Sequence, residues 1–362
     1  MPVKKLYLGP IGKVSLAALV ALGLQAPASA VETIELTAID GYPPKASWVK
    51  EFIKFYIPEI NKRLAAKGNY KINWNQAWAG QIVKPKHVLE GLQKGLGDIG
   101  VVTTVFHPDK VPLQAIAYVT PFVTTNPALV AKTVDALANK YPAMKNAWKP
   151  YNQHYLTNLV VLDTYQMFAK KPIKRLSDFD GMKVGGAGVN LRYLQGTGAA
   201  GVGGSLVSYY NKLKTGVIEG AMLWTQAVVR FKIVEVAPYM LDAKLGAVNS
   251  KAINVNADVW AKLPGEVKTV LQEAAIDYRE HMAKVAVKLG KASYDKYVKS
   301  GGKVTVMSSS QRQAWAYGMP NIAKGWAASL EKKGVPAKAI LGAYMDTMRA
   351  AKQPIVRQWD KE

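Results

Sequence analysis

The residue types that carry catalysis are not placed where catalysis would need them. The chain has no cysteine, which removes thiol chemistry, zinc–cysteine sites and a disulfide framework together. Its four histidines, His87, His107, His154 and His281, lie too far apart in sequence for a helical metal-binding pair. Neither a G-x-S-x-G nucleophile elbow nor a phosphate-binding loop occurs. Gly196-Thr197-Gly198-Ala199-Ala200-Gly201 matches G-x-G-x-x-G literally. That motif holds a dinucleotide only where it follows a strand and opens a helix. Here Asn190 to Gln195 reads as helical, so a glycine-rich turn is the better reading. Asp178 and Asp180 form a close acidic pair inside Leu176-Ser177-Asp178-Phe179-Asp180-Gly181, whose composition is that of a turn. The expectation is a protein that is not an enzyme and carries no cofactor or metal.

What remains is the chemistry of binding. Ligands meet an open α/β sheet at strand ends and in the loops that follow them. The aromatic residues near such places are Tyr42, Trp74, Trp78, Phe106, Tyr165 and Trp224. Aromatic faces sandwich a flat apolar group or surround a cation. Trp74 sits inside a strand and is assigned to the core; the others follow a strand or a turn. Asp40, beside Tyr42, is an available counter-charge, and Thr103 closes a short strand as half of a polar pair with Thr104.

The elements that must position these residues follow from periodicity. Thr33 to Ile39 alternates as a strand and ends at Asp40-Gly41-Tyr42-Pro43. Val49, Phe52, Ile53, Tyr56, Ile57, Ile60 and Leu64 recur at helical spacing, with Pro58 expected to kink or break the helix and Gly68-Asn69 to stop it. Strand Tyr70–Trp74, a helix near Pro85–Gly95 and strand Ile99–Thr103 complete a β-α-β-α-β order, which implies a parallel sheet. Further on come a helix over 127–140, a buried strand over 159–162 and weak alternation over 164–170. Strand Lys183-Val184 leads into the glycine-rich stretch 185–188, and a short helix over 208–216 leads into 217–222. A helical stripe from Leu263 to Leu289 would be about 40 Å long at 1.5 Å per residue, enough to brace two lobes. Two amphipathic helices follow, over 311–332 and 336–351.

Lys4, Lys5 and Lys13 flank a short apolar run, Val14 to Leu24, and Ala28-Ser29-Ala30 precedes Val31. Basic flank, apolar core and small residues at an A-x-A site are the parts of a secretory signal peptide. Cleavage after Ala30 and a periplasmic location are expected. The run is too short for a bilayer core, which takes about 20 residues. Even without residues 1–30 the chain exceeds the ~250–300 residues at which one core splits, so two lobes are expected. Basic residues number 48 against 25 acidic, a net charge of +23. Such a field draws anions, and a basic envelope protein on anionic polymer or membrane is one alternative function; an exported hydrolase is another. The lysines are scattered, however, with no basic tail, so no nucleic-acid partner is expected.

From Leu176 onward the chain resembles a known family. Leu176-Ser177-Asp178-Phe179-Asp180-Gly181-Met182-Lys183-Val184 resembles the "DLkGlKiR" stretch of the solute-binding proteins of tripartite ATP-independent periplasmic (TRAP) transporters. Tyr210 to Gly220 is similar to that family's "vY.aLqtGvvDG". Ala79-Gly80-Gln81-Ile82 with Leu92 to Gly100, Pro121-Phe122, and Trp260 to Pro264 match its other segments in order. The resemblance implies an α/β periplasmic binding protein fold of two lobes, with a ligand cleft between them and a long bracing helix. It implies no catalytic activity and closure of the lobes over one small solute, which is passed to membrane permease subunits. The division expected is 1–30 signal peptide, 31–155 first lobe with C-terminal segments returning to it, 156–250 mainly second lobe, and 251–362 bracing and C-terminal helices, in a monomer.

The departures from the family bear on the cargo. Its members usually place an Arg after "GlKi" to fork onto a ligand carboxylate; Gly185 stands there in this sequence. An Asn that often assists falls on Leu223, followed by Trp224, and a further basic position falls on Tyr165. One reading is an anion held elsewhere, by Arg192 with Asn190 beside it and backbone amides of Gly185 to Gly188. The other is a neutral, aromatic or cationic solute lying among Tyr42, Tyr165 and Trp224, with Asp40 as counter-charge. An organic acid with an aromatic or largely apolar body is expected. The candidate binding residues are Asp40, Tyr42, Trp78, Thr103, Tyr165, Gly185, Asn190, Arg192, Leu223 and Trp224.

Overall fold

Among the described residues, 31–362 of the computed structural model, eleven strands gather into two sheets. The signal-sequence reading of residues 1–30 falls outside that range. β1 (Glu32–Ile39), β2 (Tyr70–Ala77), β3 (Ile99–Thr103) and β4 (Gln153–Leu159) come first. β5 (Gln166–Ala169), β6 (Lys183–Gly186), β7 (Ala200–Gly203), β8 (Gly220–Leu223) and β9 (Tyr239–Asp242) follow, and β10 (Lys251–Asn256) and β11 (Lys303–Val306) come last. The order is β2-β1-β3-β10-β4 in one sheet and β11-β9-β5-β8-β6-β7 in the other. With helices packed on both, the chain has the two-lobed α/β architecture.

In the first sheet β1 pairs parallel with β2 and β3, as helical crossovers require. β10 then enters antiparallel between β3 and β4, so its first residue, Lys251, lies opposite the last residue of β3, Thr103. All six residues of β10 are buried, because neighbours cover it on both sides. β2 is the edge, and it shows water Lys71, Asn73, Asn75 and Gln76, polar residues that discourage pairing with another chain. Trp74 of this edge strand is half-buried, its indole N–H donating to Asn61 Oδ1 at 3.0 Å, and it packs on the core from outside. In the second sheet β6, β7 and β8 are parallel, and β5 runs antiparallel between β8 and β9.

Several local expectations meet their physical limits. Pro58 does not break its helix. A wide π-helical turn, Phe52–Tyr56, precedes it, with the N–H of Ile57 reaching back to Phe52 O. Widening the turn ahead of a residue that has no N–H keeps the helix continuous through Lys67. The apolar run 159–162 is strand only to Leu159; Val160 to Leu162 leave the sheet, still buried, as a crossing segment between lobes. The helix expected over 311–332 is two, Ser309–Gly318 and Ile322–Glu331. Pro320 pushes Met319 out of the helical region, and Asn321 caps the new start by accepting from Lys324 N at 2.8 Å. The G-x-G-x-x-G stretch is a turn, with Gly196 and Gly198 at positive φ, that follows a 3₁₀ helix and leads into β7.

The bracing helix, Gly265–Lys299, has 35 residues and so spans about 52 Å. Tyr278 donates its hydroxyl to Trp48 O in the first lobe, and Tyr297 donates to Pro238 O at 2.6 Å in the second. Two crossing segments, 160–165 and 243–250, run side by side and bond to each other. Tyr165 N donates to Gly246 O at 3.1 Å, and Leu245 N donates to Tyr165 O at 3.0 Å.

Candidate functional site

The strand directions bring one end of each sheet to a common place. In the first sheet this is the carboxyl end of β1 and β3, where antiparallel β10 begins. In the second it is the carboxyl end of β6 and β8, where antiparallel β5 begins. Parallel strands expose their last residues to ligands at that end. A cavity of about 30 Å³ lies between the two ends, walled by both lobes. That is space for a water or two, so the lobes are closed upon each other.

The first lobe contributes Tyr42, Trp48, Thr103, Tyr118, Ser250 and Lys251. Asp40 follows β1 and is buried beneath them. Its Oδ1 accepts from Tyr42 N at 2.8 Å and its Oδ2 from Trp48 Nε1 at 2.9 Å. The carboxylate thus holds the Tyr42 backbone and the Trp48 indole, and the two rings meet edge-on with centroids 4.9 Å apart. Lys251 is only 3% exposed. Its ammonium lies 4.3 Å from the Trp48 ring centre and 5.5 Å from that of Tyr42, a cation held on aromatic faces. It makes no direct ion pair among the described residues.

Burial pushes the Asp40 carboxyl up to about 7, against the lowering effect of its backbone bonds and of Lys251. Burial pulls the Lys251 ammonium down to about 7, with Asp40 opposing. The two act on stability in opposite directions. Asp40's contribution is full below its unfolded value of 3.8 and is lost as pH rises toward 7. That of Lys251 is present above its unfolded 10.5 and is lost as pH falls toward 7. The combined contribution is therefore smallest near neutrality, where both groups titrate in the folded protein.

The second lobe contributes Tyr165, Ala187, Leu206, Tyr209, Leu223 and Trp224. Trp224 N-ε1 donates to Gln226 Oε1 at 2.9 Å, which fixes the indole, and Tyr165 meets it edge-on at 5.9 Å. The Tyr165 hydroxyl lies 3.3 Å from that of Tyr118, joining the lobes. Burial holds the phenols of Tyr42, Tyr118, Tyr165 and Tyr209 above their ordinary value, so all four are neutral. Three hydroxyls on the cavity wall, Thr103 Oγ1, Tyr209 Oη and Ser250 Oγ, are buried without a hydrogen-bond partner. Such groups cost free energy until something pairs with them.

Of the residues singled out from sequence, Tyr42, Thr103, Phe106, Tyr165, Leu223 and Trp224 stand on the cavity wall and Asp40 behind it. Gly185 lies one layer back in β6. A Cβ there would come within 2.7 Å of Ile218 Cδ1 and 3.0 Å of the Tyr209 ring, so these side chains fill the space a longer residue would need. Asn190 is fully buried and accepts from Ala187 N at 2.8 Å, positioning the backbone of the wall. Trp78 packs edge-on against Phe52 at 5.5 Å, inside the first lobe. Arg192 is exposed in a separate groove with Asp109, Trp326 and Lys333. Trp48, Tyr118, Tyr209, Ser250 and Lys251 were missed by sequence reasoning. The signal for Lys251 was a lone cation opening an apolar strand.

Among the described residues, no three His, Asp or Glu side chains gather as a metal site, and no helix is long and apolar enough to cross a membrane. The family described as bacterial extracellular solute-binding protein, family 7, matches residues 44–333. A TRAP periplasmic solute-binding protein of Bordetella bronchiseptica, with bound (R)- and (S)-mandelate, superposes with a TM-score of 0.77 at 18% identity, over 88% of this chain and 99% of that one. One from Rhodoferax ferrireducens, with copurified benzoate, gives 0.77 at 16% identity over 88% and 98%. Another, from Desulfovibrio salexigens, gives 0.74 at 22% identity over 88% and 96%. At such identities the likeness is one of fold.

Proposed function

The chain belongs to family 7 of the bacterial extracellular solute-binding proteins, and on that premise we propose that it is a periplasmic receptor for a small organic acid with an aromatic or largely apolar body. The observation that carries this reading is the cavity between the strand ends of both lobes, where aromatic rings surround unpaired hydroxyl donors. Aromatic walls hold a flat body, and unpaired donors hold an acidic end. Mandelate and benzoate in two proteins of the same fold are acids of this kind.

In this reading the lobes, 31–155 with its returning segments and mainly 156–250, part to admit the solute and close over it. Tyr42, Thr103, Tyr165, Leu223 and Trp224 touch it; Asp40, Gly185 and Asn190 shape the wall. Arg192 and Trp78 act at most from outside. The loaded receptor, a monomer released by cleavage after Ala30, delivers its solute to the permease subunits of a TRAP transporter.

A thermal-shift screen of organic acids, amines and sugars on the protein tests the proposal. An acid at 100 times its Kd should stabilise the folded protein by about 2.7 kcal/mol. Shifts with amines or sugars and none with acids would overturn it.

A further inference from the structure

The wall of the cavity contains one cation, and it is not where the family resemblance puts one. Gly185, Leu223 and Tyr165 occupy the three positions that would carry the carboxylate clamp, and the space beside Gly185 is filled by Tyr209 and Ile218. Arg192 opens on a different groove. Lys251 enters from the other lobe, because β10 runs antiparallel to β3 and delivers its first residue to the ligand end of the sheet. It stands opposite Thr103 and next to Ser250, whose hydroxyls have no partner.

We propose that Lys251 binds the carboxylate of the solute, with the hydroxyls of Thr103, Ser250 and Tyr209 as further donors, and that the site selects monocarboxylates. This rests on the reading of the protein as a receptor for organic acids and deepens it. A buried ammonium is costly unless an anion accompanies it. Asp40 lies near enough to favour its charge, but its oxygens accept from Tyr42 N and Trp48 Nε1 and neither forms a direct ion pair with Lys251. An incoming carboxylate completes what Asp40 leaves unfinished. The body of the solute then points away from the first lobe, toward Leu223 and Trp224. A second carboxylate on that body would be buried among Leu206, Met222, Leu223 and Trp224 with no cation to meet it, at a cost no hydroxyl recovers. An amine in place of the acid would meet Lys251 as a like charge.

The test compares three probes of each of several shapes: benzoate, benzamide and terephthalate, whose second carboxylate lies at the far end of the ring, and the matching sets built on mandelate and on a branched aliphatic acid. Kd is measured by calorimetry on the wild-type protein, Lys251→Met and Lys251→Arg. The wild type is expected to favour the best monoacid over its amide and over its diacid by at least about 30-fold. Lys251→Met should weaken the acid by about 100-fold and leave the amide within about threefold, while Lys251→Arg keeps part of the acid affinity. Where Lys251→Met does not fold because Asp40 is left alone, the double variant Asp40→Asn/Lys251→Met replaces it. Undiminished acid binding in either variant overturns the role of Lys251 while leaving an organic-acid receptor standing. A wild type that binds diacids as well as monoacids overturns the selectivity. A wild type that prefers amides overturns both the inference and the function it rests on.

Discussion

The two lobes face the same cavity with opposite chemistry. The first brings charge and hydroxyls: Lys251 with Asp40 behind it, Thr103 and Ser250. The second brings bulk: Leu206, Met222, Leu223 and Trp224, with the hydroxyl of Tyr209 as its unpaired donor. The difference comes from topology. A parallel strand delivers its last residue to the ligand end, and in the second sheet those residues are apolar or glycine, Gly186 and Leu223. The antiparallel strand β10 delivers its first residue instead, and that residue is a lysine. With the cation and two of the three unpaired hydroxyls on one lobe and Tyr209 and Trp224 on the other, neither lobe alone presents the whole site.

Trp224→Ala strikes the second lobe hardest. Calorimetry should show acid affinity falling more than about tenfold, with amide affinity falling equally, because bulk does not distinguish them. Circular dichroism should show a folded protein, and unchanged affinity would remove Trp224 from the site. Gly188→Ala acts where the lobes touch. Gly188 has φ of +52°, and a Cβ there would sit 2.0 Å from Val105 O across the cleft. Affinity should drop about tenfold for acid and amide alike, and X-ray scattering of the ligand-saturated protein should stay expanded. A scattering profile as compact as the wild type's would show that this contact does not limit closure.

Proton concentration, by contrast, touches only the first lobe's share. The titratable groups around the cavity are Lys251, Asp40 and the neutral phenols of Tyr42, Tyr118, Tyr165 and Tyr209. Lys251 binds an anion when protonated, and Asp40 repels it when ionised, so both favour binding at lower pH. Between about pH 6 and about pH 8.5 acid affinity should fall roughly twentyfold, as the Lys251 ammonium loses its proton near 7, while amide affinity holds. A flat profile for the acid would mean that neither group faces it. The smallest effect belongs to Tyr209→Phe, which removes one unpaired hydroxyl. Acid binding should weaken about threefold with no loss of melting temperature, since nothing in the free protein pairs with that group.

Sequence periodicity marks the longer helices and strands β1, β2, β3, β5, β6 and β8, because each bears an apolar pattern of its own: the helix over 127–140 agrees to the residue, with Asn126 capping it. The short strands β7, β9 and β11, most of β4 and the wholly buried β10 carry no such pattern and are not legible in the sequence. Tyr42 and Trp224, which follow β1 and β8, could be named from such patterns, since a strand's end is visible locally; Tyr165 stands just before β5, beside the weak alternation that marks that strand. Lys251, Ser250 and Trp48 could not. Their place depends on a strand that enters its sheet against the direction of its neighbours, and on a helix folded back over β1. Those are pairings of residues far apart in the chain, and spacing carries no trace of them. Gly185 shows the converse. Its departure from the family's pattern was plain in the sequence, but only the packing of Tyr209 and Ile218 shows that the vacated room is filled.

The two crossing segments are tied to each other by two backbone hydrogen bonds, through Tyr165, Leu245 and Gly246, and the bracing helix bonds to both lobes, at Trp48 and at Pro238. Any movement of one lobe against the other must therefore be accommodated at all three connections together.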